Sequence, residues 1–136
     1  MPAQFVVQRH DARHLHYDFR LEMAGVFKSW ALPKGPPLIV GERRLAIMTT
    51  DHELSFGDFA GMIPDGEYGA GIITIWDQGW YTLEGDPVDA LARGELRFMM
   101  HGNHLTGRFR LIQPLHRKWQ ERAESKKWLL INDGPG

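Results

Sequence analysis

Short stretches of alternating or β-branched residues recur along the whole chain and are separated by glycine and proline. This pattern is typical of a β-sandwich or barrel rather than of strands that alternate with helices. The predicted strands cover residues 4–9, 15–23, 26–32, 44–50, 70–77, 80–84, 95–100, 105–113 and 127–132. The sequence therefore predicts a mainly all-β fold.

The segments between the predicted strands carry turn chemistry. Residues 33–41 contain Pro-Lys-Gly-Pro-Pro and residues 57–69 contain Pro-Asp-Gly, so both are predicted to be loops. Two short helices are predicted, one over Pro87–Arg93, which begins with proline and is followed by Gly94, and one around residues 116–125. The chain has 136 residues, the size of one domain, so we expect residues 1–136 to form a single unit.

Composition excludes several kinds of protein. Because the chain has no cysteine, a bound metal ion would need histidine, carboxylate or water as ligands. No apolar run approaches the roughly 20 residues of a membrane span, and the amino terminus does not resemble a signal peptide. We therefore expect a cytoplasmic protein that does not engage membranes.

Charge is distributed unevenly along the chain. Residues 1–50 hold seven Lys or Arg against four Asp or Glu, residues 51–100 hold two against ten, and residues 101–136 hold seven against three. The two basic ends could bind a polyanion if the fold brings them together, although scattered surface charge would give the same totals.

Residues 14–22 separate into two faces if they form a strand, because successive side chains point to opposite sides of a sheet. The apolar face, which we expect in the core, holds Leu15, Tyr17, Phe19 and Leu21. The polar face holds His14, His16, Asp18, Arg20 and Glu22.

The polar face has the spacing of a metal site. His16 and Asp18 would lie about 7 Å apart at their Cα atoms, so both side chains could converge on one ion. His10 could reach that ion from the preceding strand. Two imidazoles and a carboxylate commonly hold a divalent ion that activates water or polarises a phosphoryl oxygen. Arg20, on the same face, would present its planar guanidinium to phosphate oxygens.

Three further residues could contact a phosphate. His52 follows a predicted strand in Asp-His-Glu and could donate a proton or a hydrogen bond to a metal-bound phosphate. Lys34 and Arg44 could also meet phosphates, although isolated basic residues are usually only solvated.

The run FVVQRHDARHLHYDFRLE, residues 5–22, closely resembles the signature of the 3′-phosphoesterase domain of bacterial DNA ligase D. The resemblance continues through residues 28–35 (KSWALPKG), 51–52 (DH), 63–71 (IPDGEYGAG), 76–77 (WD) and 128–131 (WLLI), and so covers nearly the whole chain. Similar domains also occur as free-standing proteins in bacteria and archaea, and we expect this chain to be one of those.

The resemblance implies a small closed or nearly closed β-barrel of about eight strands with one or two short helices. It also implies a manganese-dependent site, which other divalent transition metals could occupy. Members of the family remove a terminal ribonucleoside and then the exposed 3′-phosphate from strand ends. By position, His10, His16 and Asp18 match the family's metal ligands, Arg20 and His52 match phosphate-contacting residues, and Gln8, Lys34 and Arg44 match supporting positions.

The implied substrates are nucleic acid 3′ ends, on primer–template or nicked DNA, during DNA break repair by non-homologous end joining. A DNA ligase or an end-binding protein is the implied partner. Two departures from the family pattern bear on substrate preference. Only residues 1–4 precede the first strand, where ligase-fused domains carry an additional segment, and Phe56 stands where the family commonly has tyrosine. We therefore expect monoester hydrolysis to be weaker than diester cleavage.

Two other functions fit parts of the sequence. A cupin-like metal oxygenase or isomerase would use His14, His16 and Glu22, but it normally has another histidine shortly after a Pro-x-Gly turn, and none follows residues 64–66 here. A non-catalytic nucleic-acid-binding barrel would use Trp30, Trp76 and Trp80 as stacking platforms.

Overall fold

The structure, a computed structural model, describes residues 3–67, 70–114 and 125–136. Strands dominate this part of the chain. They are β1 (Ala3–Asp11), β2 (Leu15–Met23), β3 (Val26–Leu32), β4 (Arg43–His52), β5 (Gly61–Ile63), β6 (Gly71–Leu83), β7 (Glu95–His101), β8 (Thr106–Ile112) and β9 (Lys127–Gly134). A 3₁₀ helix (Leu54–Asp58) precedes β5, and one α-helix, α1 (Pro87–Arg93), joins β6 to β7.

Eight of the strands close into an antiparallel barrel. Their order is β1-β2-β3-β4-β9-β8-β7-β6, and β6 pairs back with β1. β5 lies outside this ring and pairs only with the start of β6. The all-β barrel prediction is confirmed.

Inward-facing side chains fill the barrel. Phe19, Leu21 and Trp30 are fully buried, as expected from the alternation along β2 and β3. The prediction for Leu15 was wrong, because this side chain is 45% exposed. Leu15 is the first residue of β2 and lies next to the β1–β2 turn, at the end of the strand.

Two predicted strands, 70–77 and 80–84, are one continuous strand, β6. Gly79 does not make a turn there. A Cβ on Gly79 would lie 2.1 Å from the His101 carbonyl oxygen, so glycine allows β6 and β7 to approach closely. β5 was missed because its three residues lie inside the predicted loop 57–69.

The predicted helix at Pro87–Arg93 is confirmed. Asp86 caps it by accepting a hydrogen bond from the Val88 amide, and Gly94 ends it in the left-handed conformation, with φ of 79°. The predicted helix at residues 116–125 falls almost wholly outside the described residues, so it stays a prediction. None of the helices that the structure describes is long and apolar enough to span a membrane.

The connections at one end of the barrel are important for the site. The β1–β2 turn, the β3–β4 loop, the β7–β8 turn and the end of β9 all lie at this end, because neighbouring strands run in opposite directions. We call it the hairpin end. Helix α1 lies at the opposite end. β4 also pairs with β9, so the fold does bring the two basic ends of the chain together.

Candidate metal centre

Three potential ligands cluster on the outer surface of the barrel. The ligand atoms of His10, His16 and Asp18 all lie within 4.8 Å of one another. Asp18 Oδ2 is 3.6 Å from His10 Nδ1 and 3.3 Å from His16 Nε2. The structure therefore brings together the three residues that the sequence suggested as ligands.

Strand register explains this convergence. β1 and β2 form a hairpin in which His10 lies directly opposite His16, and Gln8 lies opposite Asp18. The alternation that buries Phe19 and Leu21 inside the barrel turns His16 and Asp18 outward. His10 and Asp18 are only 7% and 8% exposed, so the cluster is largely shielded from water.

The donor set suits a divalent ion. His16 Nδ1 lies 3.2 Å from the His14 carbonyl oxygen, so its N–H donates there. Nε2 donates to Asp18 when the ring is protonated, and it offers a lone pair to an ion once that proton is lost. Metal-bound histidines are commonly oriented in this way by a backbone carbonyl. Two imidazoles and a carboxylate leave further coordination positions for water or substrate oxygen.

Electrostatics within the cluster keep the carboxylate ionised. Burial alone would raise the pKa of Asp18, but the hydrogen bond from His16 and the nearby Arg20 charge lower it below its usual value. The hydrogen bond to Asp18 raises the pKa of His16, partly against burial. The cluster thus holds negative charge where a cation would sit.

Arg20 is the central polar group beside the cluster, and it is only 3% exposed. Its Nε donates to Gln8 Oε1 at 2.6 Å, and its Nη1 donates to Ser29 Oγ at 2.8 Å. Nη2 lies 3.7 Å from Asp18 Oδ2. These contacts fix the guanidinium plane and leave Nη2 on the side that faces Asp18.

His52 adjoins the other side of Arg20. Its Nδ1 lies 3.0 Å from both Arg20 Nη1 and the Thr50 carbonyl oxygen. Burial and the Arg20 charge lower the pKa of His52, which favours the neutral ring. In a neutral ring Nδ1 can either accept from Arg20, with the proton on Nε2, or donate to the Thr50 carbonyl oxygen, but not both. In the first tautomer Nε2–H can donate to a substrate oxygen.

A short segment covers the Arg20 side of the cluster. Gln8 Nε2 donates to the carbonyl oxygens of Phe56 and Phe59, which anchors the 3₁₀ helix to β1. The Phe56 ring then lies 4.8 Å from the Arg20 Cζ atom. Gly57 is needed at this contact, because a Cβ there would lie 2.7 Å from the Phe27 ring.

Lys34 and Arg44 are not part of this cluster. Lys34 is exposed in the turn after β3, at the hairpin end. Arg44 lies two residues from the fully buried Ala46 on β4 and so shares its face, which is the opposite side of the sheet from Asp18; its Nη2 pairs with Glu42. Arg44 thus faces the other side of the sheet from His16 and Asp18.

Sequence reasoning missed Ser29, which is fully buried against Arg20. Its alternation with the core residue Trp30 indicates an outward direction, but only the β2–β3 register, in which Ser29 lies opposite Arg20, reveals the contact.

The structure bears differently on the residues of the two alternative functions. Of the described residues, only His10, His16 and Asp18 form a group that could hold a metal ion, so the cupin-like set of His14 and Glu22 is not assembled. For the nucleic-acid-binding alternative, Trp30 is fully buried and cannot stack on a base, whereas Trp80 is 42% exposed, so that alternative loses one of its three aromatic residues.

The fold and site define a small closed β-barrel that carries a candidate metal centre beside a buried arginine. Comparison with known proteins identifies its family: residues 8–113 match the DNA Ligase D 3′-phosphoesterase domain. The chain belongs to that family, which confirms the resemblance seen in the sequence.

Its relatives are large proteins. The chain is 44% identical over 133 residues to "Multifunctional non-homologous end joining protein LigD" of Pseudomonas aeruginosa, which covers 98% of this chain and 15% of that protein. It is 47% identical over 115 residues to "Multifunctional non-homologous end joining DNA repair protein LigD" of Mycobacterium tuberculosis, covering 85% of this chain and 15% of that protein. The chain therefore spans about 15% of the length of these relatives.

Proposed function

We propose that this protein is a metal-dependent phosphoesterase that hydrolyses phosphate esters at the 3′ ends of nucleic acid strands. The observation that carries the proposal is the convergence of His10, His16 and Asp18 on one side of the buried Arg20 guanidinium. A 3′-phosphoesterase must bind a phosphate, activate water and stabilise a departing oxygen. The cluster offers a group for each task.

His10, His16 and Asp18 would hold the ion, with manganese as the expected metal and other divalent transition metals as acceptable substitutes. When bound, such an ion would polarise a phosphoryl oxygen or make a bound water molecule more acidic. Asp18 is ionised before the ion arrives, because its pKa is lowered. Both histidines must be neutral to donate, so metal binding and proton release are coupled.

Arg20 would bind the scissile phosphate. Because Gln8 and Ser29 already hold Nε and Nη1, the side chain loses little further freedom when phosphate binds. Nη2 can donate to a phosphoryl oxygen as negative charge builds on it. Such a prearranged donor acts mainly in the transition state.

His52 would act on the oxygen that leaves. With Nδ1 accepting from Arg20, its Nε2–H can donate a hydrogen bond or the proton itself to the departing sugar oxygen. Because the pKa of His52 is lowered, the proton on the neutral ring is a weak acid, so hydrogen bonding is the larger part of this role.

The biological setting follows from the relatives. Their names refer to non-homologous end joining. We propose that this protein prepares strand ends for the same repair process, on primer–template or nicked DNA, and that a DNA ligase or an end-binding protein works with it.

The test uses matched strands that end in a 3′-phosphate or a 3′-terminal ribonucleoside, with a strand that carries only a 5′-phosphate as control. We expect phosphate or nucleoside release with manganese, no release after chelation, and no reaction at the 5′ end. Release that persists with a chelator, or no release from either 3′ strand at any metal concentration, would contradict the proposal.

A further inference from the structure

The β3–β4 loop presents three consecutive large aliphatic side chains to solvent. Leu38 is 58% exposed, Ile39 is 67% exposed and Val40 is 62% exposed. We call these three residues the apolar tip. Runs of exposed apolar residues are unfavourable for solubility, so they generally persist where they contact something.

The apolar tip is held rigidly rather than left loose. Asn132, on β9, closes the base of the loop: its Nδ2 donates to the Pro37 carbonyl oxygen at 3.0 Å, and its own carbonyl oxygen accepts from the Gly41 amide at 2.8 Å. The Asn132 amide also donates to the Glu42 carbonyl oxygen at 3.1 Å. One residue thus fixes both sides of the tip. A loop fixed in this way loses little freedom when it binds.

The loop starts beside the candidate metal centre. Ala31, near the end of β3, lies opposite the candidate ligand Asp18, so the loop leaves β3 next to the strand that carries the cluster. Gly35 then packs on the inward-facing ring of Tyr17; a Cβ on Gly35 would lie 3.6 Å from that ring. From there the loop crosses the hairpin end of the barrel to Val40, which packs against Gly134. A ligand at the metal centre that extends over this end would meet the tip.

Cations flank the tip on both sides. Lys34 precedes it and Arg43 follows it, and both are exposed. The loop's own carboxylate, Glu42, is already paired with Arg44 at 2.8 Å. A partner that contacts the tip therefore needs apolar surface edged by negative charge. The end of a nucleic acid duplex, with flat bases inside and phosphates outside, has this combination.

We propose that the apolar tip packs against the terminal base pair of the nucleic acid whose 3′ end is bound at the metal centre. This inference rests on the proposed function and deepens it, since it assigns a base-contacting element outside the phosphate site. Aliphatic side chains that press on or between bases are a known way of gripping duplex ends and steps. Lys34 and Arg43 would contact the phosphates on either side.

The test measures the affinity for a duplex with a recessed 3′-hydroxyl end, which carries no terminal ester to hydrolyse, with manganese present, by fluorescence anisotropy at several salt concentrations. The variant Leu38→Ser/Ile39→Ser/Val40→Ser removes the tip. The control, Val88→Ser, removes an aliphatic side chain that is 44% exposed on α1, at the opposite end of the barrel. The tip side chains are exposed, so the fold should survive, which circular dichroism checks.

We expect the tip variant to bind about tenfold more weakly, as loss of one well-buried aliphatic contact would give. The slope of log K against log salt should not change, because no phosphate contact is lost. 2-Aminopurine in the terminal pair should change its fluorescence on binding to the unaltered protein and not to the tip variant. Val88→Ser should behave like the unaltered protein in both measurements.

Three results would overturn the inference. The first is unchanged affinity of the tip variant for the duplex. The second is a slope of log K against log salt that is reduced by about one, which would mean a lost phosphate contact, and the third is a change only in self-association, which would make the tip a protein contact. If the unaltered protein hydrolyses 3′ ends but the tip variant binds normally, only the inference fails. If binding depends on the tip but no ester is hydrolysed, only the proposed function fails.

Discussion

Removing Arg20 should affect both folding and chemistry. In Arg20→Ala, Gln8 Oε1 and Ser29 Oγ lose donors at 2.6 and 2.8 Å, and Asp18 loses its neighbouring cation. A hydrogen bond to a charged group contributes about 1.5–3 kcal/mol, and breaking a buried ion pair costs about 3–5 kcal/mol. These effects overlap, so we expect the free energy of unfolding to fall by about 3–5 kcal/mol.

The chemical rate should fall further than stability alone explains. Loss of one preorganised donor to transition-state charge typically lowers kcat by about 100-fold or more. Arg20→Lys is the informative partner variant. It keeps the charge, but one ammonium group cannot reach Gln8, Ser29 and a phosphate together. We expect it to recover part of the stability and little of the rate.

The assay is single-turnover release of phosphate from a 3′-phosphate strand, at a temperature where each variant is folded by circular dichroism. Arg110→Ala is the matched control, because Arg110 makes a two-hydrogen-bond pair with Asp133 on β8 and β9, away from the cluster. The Arg110→Ala protein should have a lower free energy of unfolding and an unchanged rate of phosphate release. A normal kcat with only a raised KM in Arg20→Ala would refute the catalytic role and leave Arg20 as an anchor.

Three other perturbations test separate parts of the account. Phe56→Tyr adds a hydroxyl beside Arg20 and should speed monoester hydrolysis by roughly 10-fold or more, with less effect on diester cleavage; equal changes on matched strands would contradict this. Asp77→Ala leaves three amides of the β7–β8 turn without their acceptor. It should lower the free energy of unfolding, measured by urea denaturation, by about 2–5 kcal/mol. An unchanged free energy of unfolding would show that water replaces the carboxylate. In the folded protein His52 has a pKa below its ordinary 6.5. Near that pH the unfolded chain therefore binds more protons than the folded chain. The stability that His52 contributes above pH 6.5 is lost as the pH falls through the lowered pKa. His52→Asn should therefore lose less stability between pH 7 and 5, and identical pH dependence in both proteins would refute this.

Alternation along the chain was sufficient to predict the strands that carry the cluster. β2 and β3 have the predicted bounds, residues 15–23 and 26–32, because a buried face leaves little freedom in where such strands begin and end. The same alternation gave the outward direction of His16 and Asp18. The position of His10 opposite His16 then needs only a tight hairpin.

Contacts between distant segments could not be predicted in this way. Gln8 bonds to the carbonyl oxygens of Phe56 and Phe59, 48 and 51 residues away, and no local pattern encodes that pairing. For Arg44, the sequence alone does not give the direction of the side chain. The resemblance implies a supporting position for Arg44, and its side chain lies on the face of β4 opposite to the cluster, so its role stays a prediction. The meaning of a glycine in the sequence is also ambiguous. Gly79 is predicted to separate two strands, but it allows two strands to pack closely instead of forming a turn.

The central claim is that one ion, held by His10, His16 and Asp18, is required for hydrolysis at the 3′ end. The most direct test measures phosphate release from a 3′-phosphate strand across a manganese titration, together with the number of ions bound per chain. His16→Ala is compared with His14→Ala, a neighbouring exposed histidine outside the cluster. We predict that His14→Ala matches the unaltered protein, with one ion bound, whereas His16→Ala stays folded but loses the ion and nearly all release. Full activity in His16→Ala, or equal losses in both variants, would contradict the account.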